Sequence, residues 1–406
     1  MFRSLVGRIQ PVRRRMLLAI AGGLLAAGCL PQTTGPGFGP GTAIAPETPA
    51  PSGQVFGTGS IKIAMLVPLS AAGNAGNLAN NYKNAADLAI RDLGGSDLQV
   101  IVKDSGGTSE SAQAAASQAL AEGAELILGP IFSHEVTAVG AVARQAGVPV
   151  VGFSTDVNAA TRGVYVLSFL PRSDVERVVS YAASQGKRSF AAIVPSNAYG
   201  AVVAAEFQQA VARNGGRVMA VEQYAADPAA IQAAVQRVSA MAAGGAPQVD
   251  AILIPDGGSA GPEIARQLSG AGVSTSAVKL LGSGQWDDGA VQREPALAGA
   301  WFPAPDKSGF NAFSGRYRNA FGSSPIRIAT NGYDAVILAA ALARSAGAQR
   351  FTDSVLTNPN GFSGVDGIFR FRGDGSNDRG LAVYEIGGGS ARVIDAAPRS
   401  FSAGGI

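Results

Sequence analysis

The sequence predicts an α/β protein of two lobes, each built on a parallel sheet. Three observations carry this reading. Short apolar runs of strand length alternate with longer stretches of helical period, as parallel strands covered by helices on both faces require. The alternation runs through four strands and restarts near residue 172. Hydrophobic residues make up 47% of the 406 residues, enough for two cores.

The first array opens at 61–67, Ile-Lys-Ile-Ala-Met-Leu-Val, stopped by Pro68. A short apolar run bounded this way reads as a buried strand. Helical period follows at 79–93 and a strand at 98–102. Ser109 is placed to cap a helix over 109–122 that ends at Gly123. Strands at 125–128 and 148–152 flank a helix at 135–145. The second array alternates helices at 175–185, 201–214, 229–243 and 262–270 with strands at 189–194, 217–223, 251–255 and 279–282. Residues 300–303 open a linking stretch before helices at 310–321 and 331–346. At the end, 367–371, a turn at Gly373-Asp374-Gly375 and 381–386 read as a hairpin.

Cys29, the only cysteine, follows Leu25-Ala26-Ala27-Gly28. Upstream lie Arg13, Arg14 and Arg15 and an apolar run from Met16 to Gly28. A basic start, a short apolar middle and small residues at a cut form an export signal. The run is shorter than the roughly 20 residues that cross a bilayer. The segment resembles a bacterial lipoprotein signal over 1–28, with Ala26 where the usual leucine stands. That resemblance implies acylation of Cys29 and a periplasmic location, lipid-anchored to the inner or outer membrane. Residues 29–58 are rich in Pro, Gly, Thr and Ser and almost uncharged. Such a stretch buries too little apolar surface to offset its ordering entropy and reads as a flexible tether.

Composition also excludes. Lys and Arg number 32 against 29 Asp and Glu, a net charge of +3, so no electrostatic case exists for a nucleic-acid partner. One cysteine allows no intramolecular disulfide and no cysteine-rich metal site. The single histidine, His134, rules out a zinc site built on several histidines; it reads as a surface or helix-start residue. The run from Gly373 to Asp378 looks like a calcium loop but lacks the bidentate glutamate and helical flanks. With no nucleophile elbow, dinucleotide fingerprint or phosphate loop, the sequence predicts no enzyme, no cofactor and no metal.

In doubly wound sheets, ligands sit beyond the carboxyl ends of the strands. Those ends here are the small, polar loops at 69–73, 104–107, 130–133, 153–156, 196–199, 256–259 and 283–286. Five segments then occur in order: IKIAMLVPLS from Ile61, LGPIFS from Leu128, GVPVVGFST from Gly147, NAYG from Asn197 and NGYDAV from Asn331. Together they make the chain resemble type 1 periplasmic binding proteins of the leucine/isoleucine/valine-binding family. The resemblance implies two Rossmann-like lobes joined by three crossings and closing by a hinge. It puts 59–171 with 305–360 in the first lobe, 172–304 with 361–397 in the second, and 398–406 in a tail. It further implies a receptor for a small, amino-acid-like or amide-like solute, delivered to an ABC-type permease.

By position, the Ser133 hydroxyl and the Ser154 backbone match ligand contacts of the first lobe, and Tyr199 matches the tyrosine that covers the ligand. The chain departs from the family elsewhere. Asp156 stands where a carboxylate-clamping threonine is expected, with Thr155 beside it as a substitute. The acidic residue expected near Gly284 is missing, leaving Gln285 and Trp286. The second-lobe tyrosine is missing from Asp256-Gly257-Gly258-Ser259. These changes suit a neutral or cationic ligand better than a branched amino acid. The expected ligand set is therefore Ser133, Ser154, Thr155, Asp156, Tyr199, Gln285 and Trp286. Other readings stand beside it. Ser and Thr at strand ends also cap helices, Tyr199 can pack on the lobe surface, and Trp286 can wedge between the lobes. The chain is also similar to the penicillin-binding-protein activator lipoproteins. That likeness implies a scaffold for a cell-wall synthase in peptidoglycan synthesis.

Overall fold

The structure is a computed structural model that describes residues 50, 52–95 and 97–401. The signal over 1–28, Cys29, most of the tether and the end of the tail lie outside the described residues.

One sheet has six strands, in the order Gln54–Phe56, Leu98–Asp104, Ile61–Val67, Leu126–Leu128, Val150–Gly152, Val164–Val166. All neighbours are parallel except the first, which pairs antiparallel with Leu98–Asp104. A second sheet has seven strands, ordered Ser390–Asp395, Ala382–Gly387, Trp301–Ala304, Lys279–Leu281, Ala251–Leu253, Ser189–Pro195, Arg217–Tyr224. Its parallel part runs from Trp301–Ala304 to Arg217–Tyr224, and the last two strands of the chain extend it antiparallel. Helices cover both faces of each sheet, which is why the strand residues are apolar without alternation.

The chain passes between the sheets three times. Val164–Val166 leads into helix Pro171–Ser184, whose Val175, Val178 and Val179 pack on Phe190 of the second lobe. Trp301–Ala304 leads back to helix Lys307–Phe321, whose Phe313 and Tyr317 lie in the first core. Asn377–Arg379 leads to Ala382–Gly387 in the second sheet.

Four local expectations are corrected. Gln54–Phe56, read as tether, is an edge strand. Phe56 is buried, and Lys103 Nζ donates to the Ser52 carbonyl (3.0 Å) and pairs with Glu122 (3.0 Å). A buried lysine needs those acceptors, and they hold the incoming chain. Val164–Val166 has three residues, too few for a periodic signal. The stretch read as a linker is strand Trp301–Ala304 in the middle of the second sheet. The late hairpin does not form. Gly367–Phe371 pairs with Phe362–Gly364 and Asn377–Arg379 in a small antiparallel sheet, and Ala382–Gly387 pairs elsewhere. Phe369 and Phe371 are buried in the first core while Tyr384 and Ile386 are buried in the second. Period-2 patterning identifies a strand and leaves its partner open.

The crossings converge on Arg379, which is 1% exposed. Its Nε donates to the Ser168 carbonyl (3.0 Å) and its Nη2 to Asn331 Oδ1 (2.6 Å). Its guanidinium lies over Phe169 at 4.5 Å and near Phe369 at 5.7 Å. Asn377 Nδ2 also donates to the Ser168 carbonyl (3.1 Å), and Tyr384 donates to the Pro305 carbonyl (3.0 Å). The third crossing thereby holds the other two. Removing one member of a buried charge network leaves its partners unpaired, at a cost of about 3–5 kcal/mol. Arg379→Met is expected to lose stability on that scale in urea unfolding; a loss within error of the parent would refute the role given to the guanidinium.

Candidate ligand-binding cleft

A cleft of about 1080 Å³ opens where the crossings meet the strand-end loops of both lobes. Each wall is placed by local capping. Asp156 Oδ1 accepts from Asn158 N (3.0 Å) and starts the short helical turn Val157–Ala159. Asn197 Oδ1 accepts from Gly200 N (2.9 Å) and starts helix Ala198–Arg213, with Tyr199 in its first turn. Gly200 has no alternative there, since a Cβ would lie 1.8 Å from the Pro195 carbonyl oxygen. Ser283 Oγ accepts from Gln285 N (3.2 Å) and shapes the turn Gly284–Trp286.

Of the residues expected from sequence, Thr155, Asp156, Tyr199 and Gln285 line the cleft. Tyr199 donates to the Pro255 carbonyl (3.4 Å), and burial pushes its hydroxyl up to about 12. Gln285 Oε1 accepts from Gly257 N (3.2 Å). The other three are not brought in. Ser133 is the first residue of helix Ser133–Gln145, away from the cleft lining. Ser154 is buried, and its Oγ accepts from Asp156 N (3.0 Å), a turn-forming bond. Trp286 is fully buried in the second-lobe core, and its Nε1 donates to the Asp256 carbonyl (2.9 Å). Its slot exists because residue 282 is glycine, where a Cβ would stand 2.1 Å from the indole. The large apolar area of an indole favours that slot when its N–H finds an acceptor. His134 is exposed, with Nε2 3.1 Å from the Gly107 carbonyl.

Among the cleft residues outside the expected set, two stand out. Asp174 lies in the first turn of helix Pro171–Ser184 and accepts from Gly284 N (2.8 Å). Burial pushes its carboxyl up to about 7, against the favourable Gly284 N–H. A Cβ on Gly284 would lie 3.1 Å from that carboxyl. The acid missing from the sequence near Gly284 is thus present there in space, supplied by another element. In sequence it looks like any acid in a first helical turn. Arg327 is held by Asp366 (2.6 Å) and stacked between Phe310 (4.4 Å) and Phe169 (5.3 Å).

Five carboxyl groups line the cleft, those of Asp156, Asp174, Glu206, Asp287 and Asp374, against the guanidiniums of Arg172 and Arg327. Arg327 is already matched by Asp366, while Asp287 is matched by Lys307 (2.6 Å). The remaining field favours a cationic or neutral occupant.

Comparison with known proteins follows the same lines. The family model for periplasmic binding proteins matches residues 60–391. A protein from Rhodospirillum rubrum assigned to a branched-chain amino acid ABC transporter superposes with a TM-score of 0.72 at 20% identity, over 82% of this chain and 99% of its own. The leucine-binding protein LivK of Thermotoga maritima gives 0.56 at 18%, over 82% and 97%. A solute-binding protein of R. palustris in complex with benzoate gives 0.56 at 18%, over 86% and 99%. Identities this low establish the fold alone. Among curated proteins, an uncharacterized protein of Rickettsia prowazekii (strain Madrid E) is 24% identical over 179 residues, 44% of this chain and 47% of that relative. The chain thus matches about half the length of that curated relative. The two lobes, the three crossings and a match over most of the chain lead to one conclusion: the chain belongs to the periplasmic binding protein family.

Proposed function

We propose that the chain is a lipid-anchored periplasmic receptor that binds a small polar solute, amino-acid-like or amide-like, between its lobes for an ABC-type permease. The observation that carries the ligand class is Asp174, a partly buried carboxyl raised by desolvation and facing a cleft in which acids outnumber bases. An amine or amide donor placed against it replaces the water that burial removed. Thr155, Asp156 and Gln285 supply further polar contacts, and Tyr199 and Phe169 supply apolar faces. The cleft volume lies at the upper end of ordinary ligand pockets, about 300–1,000 Å³. It suits lobes that close on the solute by a hinge. A cleft of this volume with a desolvated carboxyl in its wall favours this reading over a scaffold for a penicillin-binding protein.

Four outcomes are expected from four measurements. A calorimetric screen of small amines and amides finds a stabilising ligand, worth about 2.7 kcal/mol at a hundredfold excess over Kd; silence across the set at millimolar concentration would sink the proposal. Asp174→Asn weakens that ligand about 10- to 100-fold, since a hydrogen bond to a charged group contributes about 1.5–3 kcal/mol. The pH dependence has a definite sign. The folded Asp174 carboxyl titrates near 7 against an ordinary 3.8, so the folded chain binds more protons in that window and loses stability as pH rises through it. Melting temperatures of Asp174→Asn across the window should fall less steeply than those of the parent. Finally, Cys29→Ser should abolish fatty-acid labelling in cells and release the protein from membranes.

A further inference from the structure

We propose that a second cavity, of about 210 Å³ beside the crossings, is a binding site for a phosphate-class oxyanion. Its walls come from three places. Arg172 and Glu176 stand in the first turns of helix Pro171–Ser184, and Arg213 ends helix Ala198–Arg213. Arg370 and Asp378 come from the small antiparallel sheet, and Arg372 follows strand Gly367–Phe371 at its turn. Arg379 closes the cavity from behind.

The arginines exceed what their partners satisfy. Asp378, 5% exposed, accepts from Arg370 Nε (2.9 Å) and Arg372 Nη1 (3.4 Å), and faces Arg172 Nε at 3.8 Å. Three guanidiniums therefore share one carboxylate. Arg213 is paired with Glu176. The remaining acids stand at the edges, Glu206 at 3.9 Å from Arg172 and Asp374 at 3.7 Å from Arg372. Contacts that long are not hydrogen bonds. Arg372 Nε and Arg379 Nη1 are shut off from solvent without a hydrogen-bond partner among the described residues. Each guanidinium offers five N–H donors in a planar fork, and a tetrahedral oxyanion takes several such forks at once. A cavity this small holds an inorganic ion or the terminal group of a larger molecule.

The placement has a mechanical consequence. The small sheet anchors through Phe369 and Phe371 in the first core, while the two helices belong to the second lobe. An oxyanion in this cavity is gripped from both sides of a crossing, and its binding stabilises the chain as a whole.

The test titrates inorganic phosphate into the purified full-length chain in a phosphate-free buffer, with sodium chloride at matched ionic strength as control. Saturable heat and a raised melting temperature with phosphate, absent with chloride, are expected. The double variant Arg370→Gln, Arg372→Gln should weaken binding at least tenfold. Arg213→Gln, at a half-exposed rim position, should weaken it several-fold without risk to folding, and Arg392→Gln, on an exposed edge strand, should leave it unchanged. Vesicles of phosphatidylglycerol and of phosphatidylcholine distinguish the source. Phosphate-competed binding to the former alone marks a lipid headgroup, and binding of free phosphate without vesicle binding marks a free ion. Lack of saturable phosphate binding, an equal response to chloride, or full binding by both cavity variants would overturn the site.

Discussion

A buried guanidinium ties the crossings of this molecule together. Taking an arginine out of water costs several kcal/mol unless it finds acceptors and counter-charge. Arg379 finds its acceptors on the first crossing, at Ser168, and on helix Thr330–Ser345, at Asn331. The counter-charge comes from Asp366 and Asp334 behind it. Asp366 in turn accepts from Thr330 Oγ1 (2.6 Å) and pairs with Arg327, which reaches the cleft. Asp334, buried with a single backbone donor at Val365 (2.8 Å), is pushed up to about 7 by desolvation. Each of these groups tolerates burial only while the others keep their places, so the three crossings keep a common geometry.

That geometry sets the cleft. Phe169, one residue beyond Ser168, carries Arg379 on one ring contact and Arg327 on another, and lines the cleft itself. Two residues further, Pro171 opens a helix at its first position, where its missing N–H has no cost. Asp174 then falls one turn in, against Gly284. The distance from the crossing to that carboxyl is thus a few residues of nearly rigid chain. A change at the hinge moves the carboxyl with little slack.

Much of the architecture was legible because it depends on period and punctuation. Runs such as Ile61–Val67 and Ser189–Pro195, stopped by proline or polar loops, are strands by pattern alone. What escaped depends on partners distant in sequence. Gln54–Phe56 is a strand because Lys103 and Glu122 capture Ser52. Gly367–Phe371 and Ala382–Gly387 alternate as a hairpin would, yet their aromatic residues are buried in different cores. Trp286 stood in a strand-end loop beside cleft residues, and it turns into the core because Gly282 leaves room for an indole whose N–H finds the Asp256 carbonyl. Thr155, Asp156, Tyr199 and Gln285 line the cleft because strand-end loops meet there regardless of such details.

Gly284 and Asp174 are best understood as one feature divided between two elements. A residue larger than glycine at 284 would bring its Cβ to 3.1 Å from the Asp174 carboxyl, which accepts from the Gly284 N–H among the described residues. The pair therefore puts a carboxyl at the turn while removing the side chain that would otherwise carry one. The exchange alters the chemistry. A carboxyl on a flexible side chain in a loop keeps most of its hydration, whereas Asp174 sits on a helix at the cleft wall, partly buried, and desolvation raises it to about 7. A carboxyl so raised is a poor resting anion and a strong acceptor once a donor arrives, because the donor restores what desolvation took away. If the cleft takes the solute proposed above, selectivity follows from electrostatics: an amine or amide at Asp174 offsets the desolvation of its carboxyl, and a second carboxylate there adds to it.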